Sequence, residues 1–331
     1  MDNTFKINMG GMNAGGSGET PKNADVIIIG GGPAGLTAAL YCCRAGLKTV
    51  VIEKFGSGGQ ITVTEHVENY PGIDLIGGAE LSAVMEKQAK KFGAFFVFDE
   101  VTELKDSGDT KEVSTASGVK YTCTALIIAT GAKYKELGAP GEVKFKGRGV
   151  SNCATCDAAF YKNMDVAVVG GGDTAVEEAD FLTKFAKKVF LVHRRDRFRA
   201  AKIIQDRAFA NPKIEFIFDS IVEEISGTKT VEKIRIKNIK TNATREIPVA
   251  GVFVFVGLIP GTEFVKGFVD MDEFGHIRAD QEMRTSRDGV FACGDCIVKD
   301  LRQVVTAAGD GANAAFKAQH WVEKLKGTEY I

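Results

Sequence analysis

The sequence predicts an α/β protein built from two doubly wound, Rossmann-like units. Three observations predict it. A short β-branched run leading into a glycine-rich turn occurs twice, at Asp25-Val26-Ile27-Ile28-Ile29-Gly30 and at Val166-Ala167-Val168-Val169-Gly170, 140 positions apart. Each turn opens a stretch of helix-spaced apolar residues that leads into a second apolar strand. That order is the βαβ unit of a Rossmann-like dinucleotide fold. The length of 331 residues suits two domains better than one.

The elements follow in chain order. Residues 1–23 are rich in Gly, Asn and Ser without periodicity, the composition of a mobile tail. Asp25 to Ile29 predicts a buried strand. Gly30, Gly32 and Gly35 then fit the dinucleotide spacing. The first allows the tight turn, the second lets a pyrophosphate approach the backbone, and the third lets the helix pack close to the strand. The helix predicted from Pro33 to about Arg44 stops at Gly46. Lys48 to Ile52 predicts the second strand. Glu53 ends it, 18 positions beyond Gly35, where a carboxylate can accept both ribose hydroxyls of an adenosine. Gly58-Gly59-Gln60 and Glu68-Asn69-Tyr70-Pro71-Gly72 are turn-rich and too polar for core, and read as surface loops. A helix over about 79–92 and short strands to Ala129 come next. Ala129-Thr130-Gly131 closes the last strand and marks a hinge.

In the second unit, Gly170-Gly171-Gly172-Asp173-Thr174-Ala175 repeats the turn with Ala in place of the third Gly. Val176, Ala179, Phe181, Leu182 and Phe185 lie near helical spacing, and Val189 to Val192 predicts the next strand. Where the first unit has Glu53, this one has His193-Arg194-Arg195, with Arg199 beyond. A carboxylate there would repel a 2′-phosphate, whereas guanidinium groups bind it bidentately. The second site is therefore expected to prefer NADPH over NADH. The competing reading, a solvated basic patch, is disfavoured by a position that reads the 2′ substituent. Val252 to Val256 predicts a further strand. Another ends at Cys293-Gly294-Asp295, where the carboxylate can point at a polyol chain. Arg302-Gln303 and a small-residue helix from Thr306 to Ala315 follow.

The chemistry is expected at Cys153-Ala154-Thr155-Cys156-Asp157. Two thiols three positions apart can close a small disulfide ring, and an acidic residue follows at once. The other cysteines read as structural. Cys42 and Cys43 sit inside the first helix on different faces, and Cys123 lies on a short strand. Cys293 and Cys296 form a second C-x-x-C whose strand-end context favours packing over redox work. Seven cysteines, an odd count scattered over a large chain, argue against a secreted disulfide scaffold and for a reducing, cytoplasmic compartment. None of His66, His193, His276 and His320 pairs with a cysteine at metal-ligand spacing, so no metal is expected. Lys plus Arg is 42 against 43 for Asp plus Glu, and a net charge of -1 gives no pull toward nucleic acid or an anionic membrane. No apolar run approaches the ~18 residues of a membrane span, and the N-terminus does not read as a secretory signal.

From about residue 24 to the end, the chain resembles the low-molecular-weight thioredoxin reductases. Five motifs carry the resemblance in family order: the first glycine-rich unit, Cys-Ala-Thr-Cys-Asp, the second glycine-rich unit, His-Arg-Arg, and the Gly-Asp segment. It implies a homodimeric FAD enzyme that uses NADPH to reduce thioredoxin. Residues 24–132 and 257–331 would form the FAD domain, with an NADPH domain at 133–256 inserted into it and carrying the dithiol. Gly30, Gly32, Gly35 and Glu53 would hold the FAD adenosine and pyrophosphate. Gly59, Gln60, Asn69, Asp295, Arg302 and Gln303 would line the ribityl and isoalloxazine groups. Pro33, Ala34, Val101, Thr130, Gly131, Gly294 and Val304 join them in the FAD set. The NADPH site would take Gly170, Gly172, Asp173, Thr174, His193, Arg194, Arg195 and Arg199. Cys153 and Cys156 would be the redox pair, with Asp157 as proton donor. The family commonly has paired aromatics soon after the dithiol, and this chain has Ala158-Ala159-Phe160.

By the same resemblance Cys153 attacks the partner's disulfide and Cys156 lies nearer the flavin. The dithiol and the NADPH fold share one inserted segment, yet both need one flavin. Rotation about linkers near Gly131-Ala132-Lys133 and Val256-Gly257 would meet both demands. The runner-up function is a flavoprotein of the same build serving another protein disulfide, such as a peroxiredoxin-type or glutaredoxin-like partner. A non-catalytic nucleotide sensor is disfavoured by the intact dithiol.

Overall fold

The computed structural model describes residues 20–64 and 67–329, so most of the predicted tail, and His66, lie outside the described residues. The chain runs β1 (Asn23–Ile29), α1 (Pro33–Arg44), β2 (Thr49–Glu53), a 3₁₀ turn at Gly59–Val63, α2 (Gly78–Lys91), then β3 (Phe95–Phe98), β4 (Val101–Asp106), β5 (Lys111–Thr115) and β6 (Lys120–Ile128). After β7 (Ala132–Tyr134) come β8 (Val150–Ser151), α3 (Ala154–Asp157), β9 (Asp165–Gly170), α4 (Asp173–Leu182), β10 (Lys188–Val192), α5 (Lys202–Ala210) and β11 (Ile214–Ile217). The remainder is β12 (Ser220–Ser226), β13 (Lys233–Asn238), β14 (Thr244–Pro248), β15 (Gly251–Phe255), β16 (Leu258–Pro260), β17 (Val290–Ala292) and α6 (Val304–Lys326).

The chain divides into two compact units. One holds the residues up to Lys133 together with Pro260 onward, and the other is Tyr134–Ile259. In the first, the sheet order is β3-β2-β1-β6-β5-β4, with β17 also pairing β6. β1 lies parallel between β2 and β6, with Ile29 opposite both Ile52 and Ile128. A strand covered on both faces cannot alternate polar and apolar residues, which is why Val26 to Ile29 is apolar throughout and fully buried. α1 packs on α6 through small residues. A Cβ on Gly311 would land 2.1 Å from the Ala34 carbonyl oxygen, so only glycine allows that approach.

The second unit repeats the design with a parallel sheet ordered β11-β10-β9-β15-β8. Its antiparallel meander β12-β13-β14 buries Val222, Ile225, Ile234, Ile236 and Ile247 in a core shared with Phe145 and Val252. The two chain crossings are tied within each unit. Gly261 N–H donates to Gly131 in the first, and Lys135 N–H to Gly257 in the second. Gly131 (φ 65°) and Gly257 (φ 122°) both take backbone angles that favour glycine.

The small-residue helix predicted at Thr306 to Ala315 is the middle of a 23-residue helix that ends at Gly327 in the left-handed conformation. The loop predicted at Gly58-Gly59-Gln60 enters a 3₁₀ turn.

Candidate active site and cofactor-binding turns

In the first unit each glycine of the turn has its own reason. A Cβ on Gly30 would sit 2.3 Å from the Ala129 carbonyl oxygen, and one on Gly35 would sit 1.9 Å from that of Gly30. Gly32 has nothing within 4 Å, so its side of the turn is open to a ligand. Gly59 lies alongside, its Cβ direction 3.4 Å from the Gly32 Cα. Pro33 and Ala34 open α1, whose first amide donors point back into the same turn. Glu53 ends β2, and its two carboxylate oxygens accept from the backbone N–H groups of Gly31 (2.7 Å) and Phe55 (3.0 Å). Val101 opens β4, at the opposite edge of the sheet from β3, and in the turn between those strands Asp99 N–H donates to the Glu53 carbonyl. Gln60 is exposed.

A second cluster in this unit surrounds Asp295. Its Oδ1 is buried with no hydrogen-bond partner among the described residues, and the Thr130 hydroxyl is buried against the Cys296 thiol. Burial pushes the Asp295 carboxyl up, against the pull of Lys299 and Arg302. Arg302 is held by the carbonyls of Asp295 (3.4 Å) and Ile297 (3.3 Å). Asn69 Nδ2 donates to Gln303 Oε1 at 3.0 Å, so two residues 234 positions apart in sequence meet. Gln303 also caps α6, which begins at Val304, in a reciprocal pair with Thr306. Gly294 N–H donates to Asp310 Oδ2 at 3.1 Å, and Lys299 pairs with the same oxygen at 2.5 Å. These residues fit FAD. The open face at Gly32 suits a pyrophosphate, and the unpartnered Asp295 oxygen suits a polyol.

In the second unit Gly170 is closed in by the Phe255 carbonyl, whereas Gly172, like Gly32, has nothing within 4 Å of its Cβ direction. Asp173 Oδ1 accepts from Ala201 N–H at 2.6 Å, and Thr174 is exposed. Arg194, Arg195, Arg197 and Arg199 are all exposed, and none makes an ion pair among the described residues. Four free guanidinium groups beside an open glycine turn fit the 2′-phosphate and pyrophosphate of NADPH. His193 is different. It is buried beneath the turn, and burial lowers its pKa, with Arg195 and Arg194 adding to the effect.

Cys153 and Cys156 form a disulfide with Cα atoms 5.3 Å apart. Cys153 caps the single turn α3, and its Sγ accepts from Cys156 N–H at 3.2 Å and lies 3.4 Å from Thr155 Oγ1. Ser151 Oγ accepts from Cys153 N–H at 3.0 Å, and Asn152 Nδ2 donates to the Val254 carbonyl at 2.8 Å, fixing the approach to the motif. Burial raises the Asp157 carboxyl above its ordinary value, with the Ser151 hydroxyl pulling the other way. Phe160 stands half exposed.

The remaining cysteines behave as core. Cys293 and Cys296 are free thiols at 0% exposure. Burial pushes Cys296 up to about 11 and Cys293 well above its ordinary value. Cys42 is likewise raised by burial, as are Cys43, to about 11, and Cys123, to about 12. A thiol this hard to ionise is a poor nucleophile. Sequence reasoning missed Ser151, Arg197, Lys299 and Asp310. Arg197 stood in view within His193-Arg194-Arg195-Asp196-Arg197. The others carry no local signal, because their roles depend on partners brought together by the fold.

Residues 24–311 match the pyridine nucleotide-disulphide oxidoreductase family. A thioredoxin reductase of Listeria innocua is 50% identical over 303 residues, covering 91% of this chain and 95% of that protein. Among solved structures, thioredoxin reductase from Streptococcus pyogenes matches with a TM-score of 0.88 at 49% identity, covering 92% of this chain and 99% of that one. Thioredoxin reductase from Giardia duodenalis matches with a TM-score of 0.88 at 41% identity, covering 91% and 99%. With a disulfide followed by an acid, and two glycine turns of opposite electrostatic character, the chain belongs to the pyridine nucleotide-disulphide oxidoreductases, within the thioredoxin reductase family.

Proposed function

We propose that the chain is an NADPH-dependent thioredoxin reductase whose electrons leave through Cys153 and Cys156. The observation that carries this reading is the Cys153–Cys156 disulfide with Asp157 next to it, in a unit that also holds an arginine-lined dinucleotide turn. The Gly30–Gly35 turn, Glu53 and the Asp295 cluster would hold FAD, which when bound would supply the two-electron link between NADPH and the disulfide. Arg194, Arg195 and Arg199 select NADPH by its 2′-phosphate.

The reduced pair then works by thiol–disulfide exchange. Cys153 is the attacking sulfur, and the Cys156 N–H and the Thr155 hydroxyl lie against it. It attacks one sulfur of the partner's disulfide, forming a mixed disulfide and releasing a thiolate. Asp157, kept protonated to higher pH by burial, donates the proton. Cys156 attacks Cys153 in turn, which restores the intramolecular disulfide and frees the reduced partner. Two electrons leave and one disulfide re-forms, so the exchange balances.

The substrate is thioredoxin. The working form is a homodimer in the cytoplasm, a compartment that keeps five thiols free in this chain. Among the described residues no helix is long and apolar enough to cross a membrane. The test is NADPH oxidation by the FAD-loaded protein, offered thioredoxin, a glutaredoxin and a peroxiredoxin in parallel. Thioredoxin is expected to give the highest kcat/KM by at least about tenfold, or 1.4 kcal/mol. A higher value with either of the others replaces thioredoxin as the substrate.

A further inference from the structure

The two units share a relationship that the motif spacing does not describe. The residue between the first two glycines of each turn sits against the residue at the end of the second strand, the last of β2 in the first unit and the one just after β10 in the second. In the first unit a Cβ on Gly31 would lie 3.2 Å from the Glu53 Cβ and Cγ. In the second, a Cβ on Gly171 would lie 2.2 Å from His193 Cε1 and Nδ1 and 2.7 Å from Nε2. The His193 ring therefore lies against the bare α-carbon of Gly171. It is 7% exposed, and its Nε2 is buried with no hydrogen-bond partner among the described residues. The ring also packs against Phe198, centroid to centroid at 5.4 Å. From the arginine-bearing loop, Arg199 N–H donates to the Gly171 carbonyl at 2.7 Å.

We propose that His193 is a positioning residue of the NADPH site, its imidazole forming the floor under the Gly170-Gly171-Gly172 turn. The inference rests on the reading of the second unit as the NADPH-binding one. A ligand phosphate has no route to a ring covered by the turn it would have to displace. The exposed groups are the guanidinium groups of Arg194, Arg195, Arg197 and Arg199. Reading of the 2′ substituent thus passes from the strand-end residue, the position of Glu53 in the first unit, to the residues after it. The strand-end residue instead holds the pyrophosphate turn and the arginine loop in one arrangement. Such a floor serves NADPH and NADH alike, because both carry the pyrophosphate. A residue that touched the 2′-phosphate would serve only NADPH.

The experiment is calorimetric binding of NADP⁺ and NAD⁺ to the FAD-loaded, oxidised enzyme. His193→Ala is expected to weaken both by the same factor, on the order of tenfold, leaving their ratio unchanged within about twofold. Gly171 does not take a left-handed φ, so Gly171→Ala tests space alone. It is expected to weaken both dinucleotides, and the Gly171→Ala/His193→Ala double variant to bind no worse than Gly171→Ala, since the new methyl fills the space the ring leaves. His193→Leu, similar in volume, keeps the test usable if the alanine variant fails to fold, and is expected to leave the ratio unchanged. Selective loss of NADP⁺ binding in the His193 variants, no loss in His193→Ala, or additive losses in the double variant would overturn the floor. Arg194→Gln/Arg195→Gln separates this from the underlying reading. If that pair leaves the NADP⁺-to-NAD⁺ ratio untouched, it is the NADPH assignment of the unit that fails.

Discussion

Glu53 Oε2 accepts a hydrogen bond from Gly31 N–H at 2.7 Å, joining the end of the second strand to the turn that follows the first. The other carboxylate oxygen accepts from Phe55 N–H. The acid is thus oriented by the backbone, and each oxygen keeps a lone pair for a ribose hydroxyl.

The assignment of Glu53 to the FAD ribose gives the first prediction. Glu53→Gln removes the charge and turns one acceptor into a donor facing Gly31 N–H or Phe55 N–H. A charge-assisted hydrogen bond is worth roughly 1.5–3 kcal/mol, so FAD affinity is expected to fall by about 10- to 100-fold. Titrating apoprotein with FAD and following flavin fluorescence measures it. Affinity within twofold of wild type removes Glu53 from the site.

The division of the cysteines gives the second. After NADPH reduction, an alkylating reagent followed by mass spectrometry is expected to label Cys153 and Cys156 and to spare Cys42, Cys123, Cys293 and Cys296, which are buried with raised pKa values. Cys153→Ser and Cys156→Ser are expected to abolish thioredoxin reduction while flavin bleaching by NADPH persists in stopped flow. Cys293→Ala is expected to keep turnover within about threefold, with a lower thermal midpoint from the small cavity. If it stops turnover with FAD still bound, the second C-x-x-C has a redox role.

How far these residues could be read from the sequence depended on what each one answers to. Gly35 answers to the Gly30 carbonyl within its own βαβ unit, so spacing alone exposes it, and the same spacing marks Gly30 although the carbonyl that closes it in belongs to Ala129, after β6. The Glu53 position follows from the same unit. His193 was legible by place and not by role. A strand-end histidine followed by arginines looks like one basic cluster, and only the packing separates a buried ring from exposed guanidinium groups. α3 has four residues, too few for any period, and α5 leaves Ile203 and Phe209 exposed, so neither gives an amphipathic signal. The helix at Thr306 to Ala315 was read short. Its small-residue half packs on α1, whereas beyond Ala315 it leaves Phe316 half exposed and adds charges. Asn69 and Gln303 lie in segments far apart in sequence, so their pairing waits on the fold.

Asp157 carries the third prediction, with two readouts of opposite sign. Its folded pKa is raised by burial. The group therefore favours the folded state when protonated, and that contribution is lost as pH rises through the folded pKa. Asp157→Asn is thus expected to raise the thermal midpoint at pH 7 to 8, with the gain fading as pH falls toward the ordinary aspartate value of 3.8. The same change removes the proton donor. Thioredoxin reduction is expected to slow by about 100-fold, and the limb of the pH–rate profile due to Asp157 to disappear. A variant as stable as wild type at every pH would mean that burial does not perturb the carboxyl. One that keeps full turnover would mean that another group delivers the proton.

The fourth prediction concerns Gly311, where α6 crosses α1. No unusual φ requires glycine there, so the need is one of space alone. An added Cβ would meet the Ala34 carbonyl oxygen at 2.1 Å and its carbonyl carbon at 2.9 Å, both backbone atoms that no rotamer change can move. Gly311→Ala must push α1 and α6 apart, at an overpacking cost of about 1–3 kcal/mol. α1 starts at the Gly30–Gly35 turn and α6 starts beside Asp295 and Arg302. Moving the helices apart therefore also moves the proposed FAD-binding groups on their ends. The variant is expected to lose thermal stability and to release FAD on gel filtration, while NADP⁺ binding to the second unit, measured by calorimetry, stays within about twofold. Gly309→Ala, two positions earlier with nothing within 4 Å of its Cβ direction, is the control and is expected to be neutral or slightly stabilising through helix propensity. Equal behaviour of the two alanine variants would show that the contact with Ala34 does not govern the spacing of the helices.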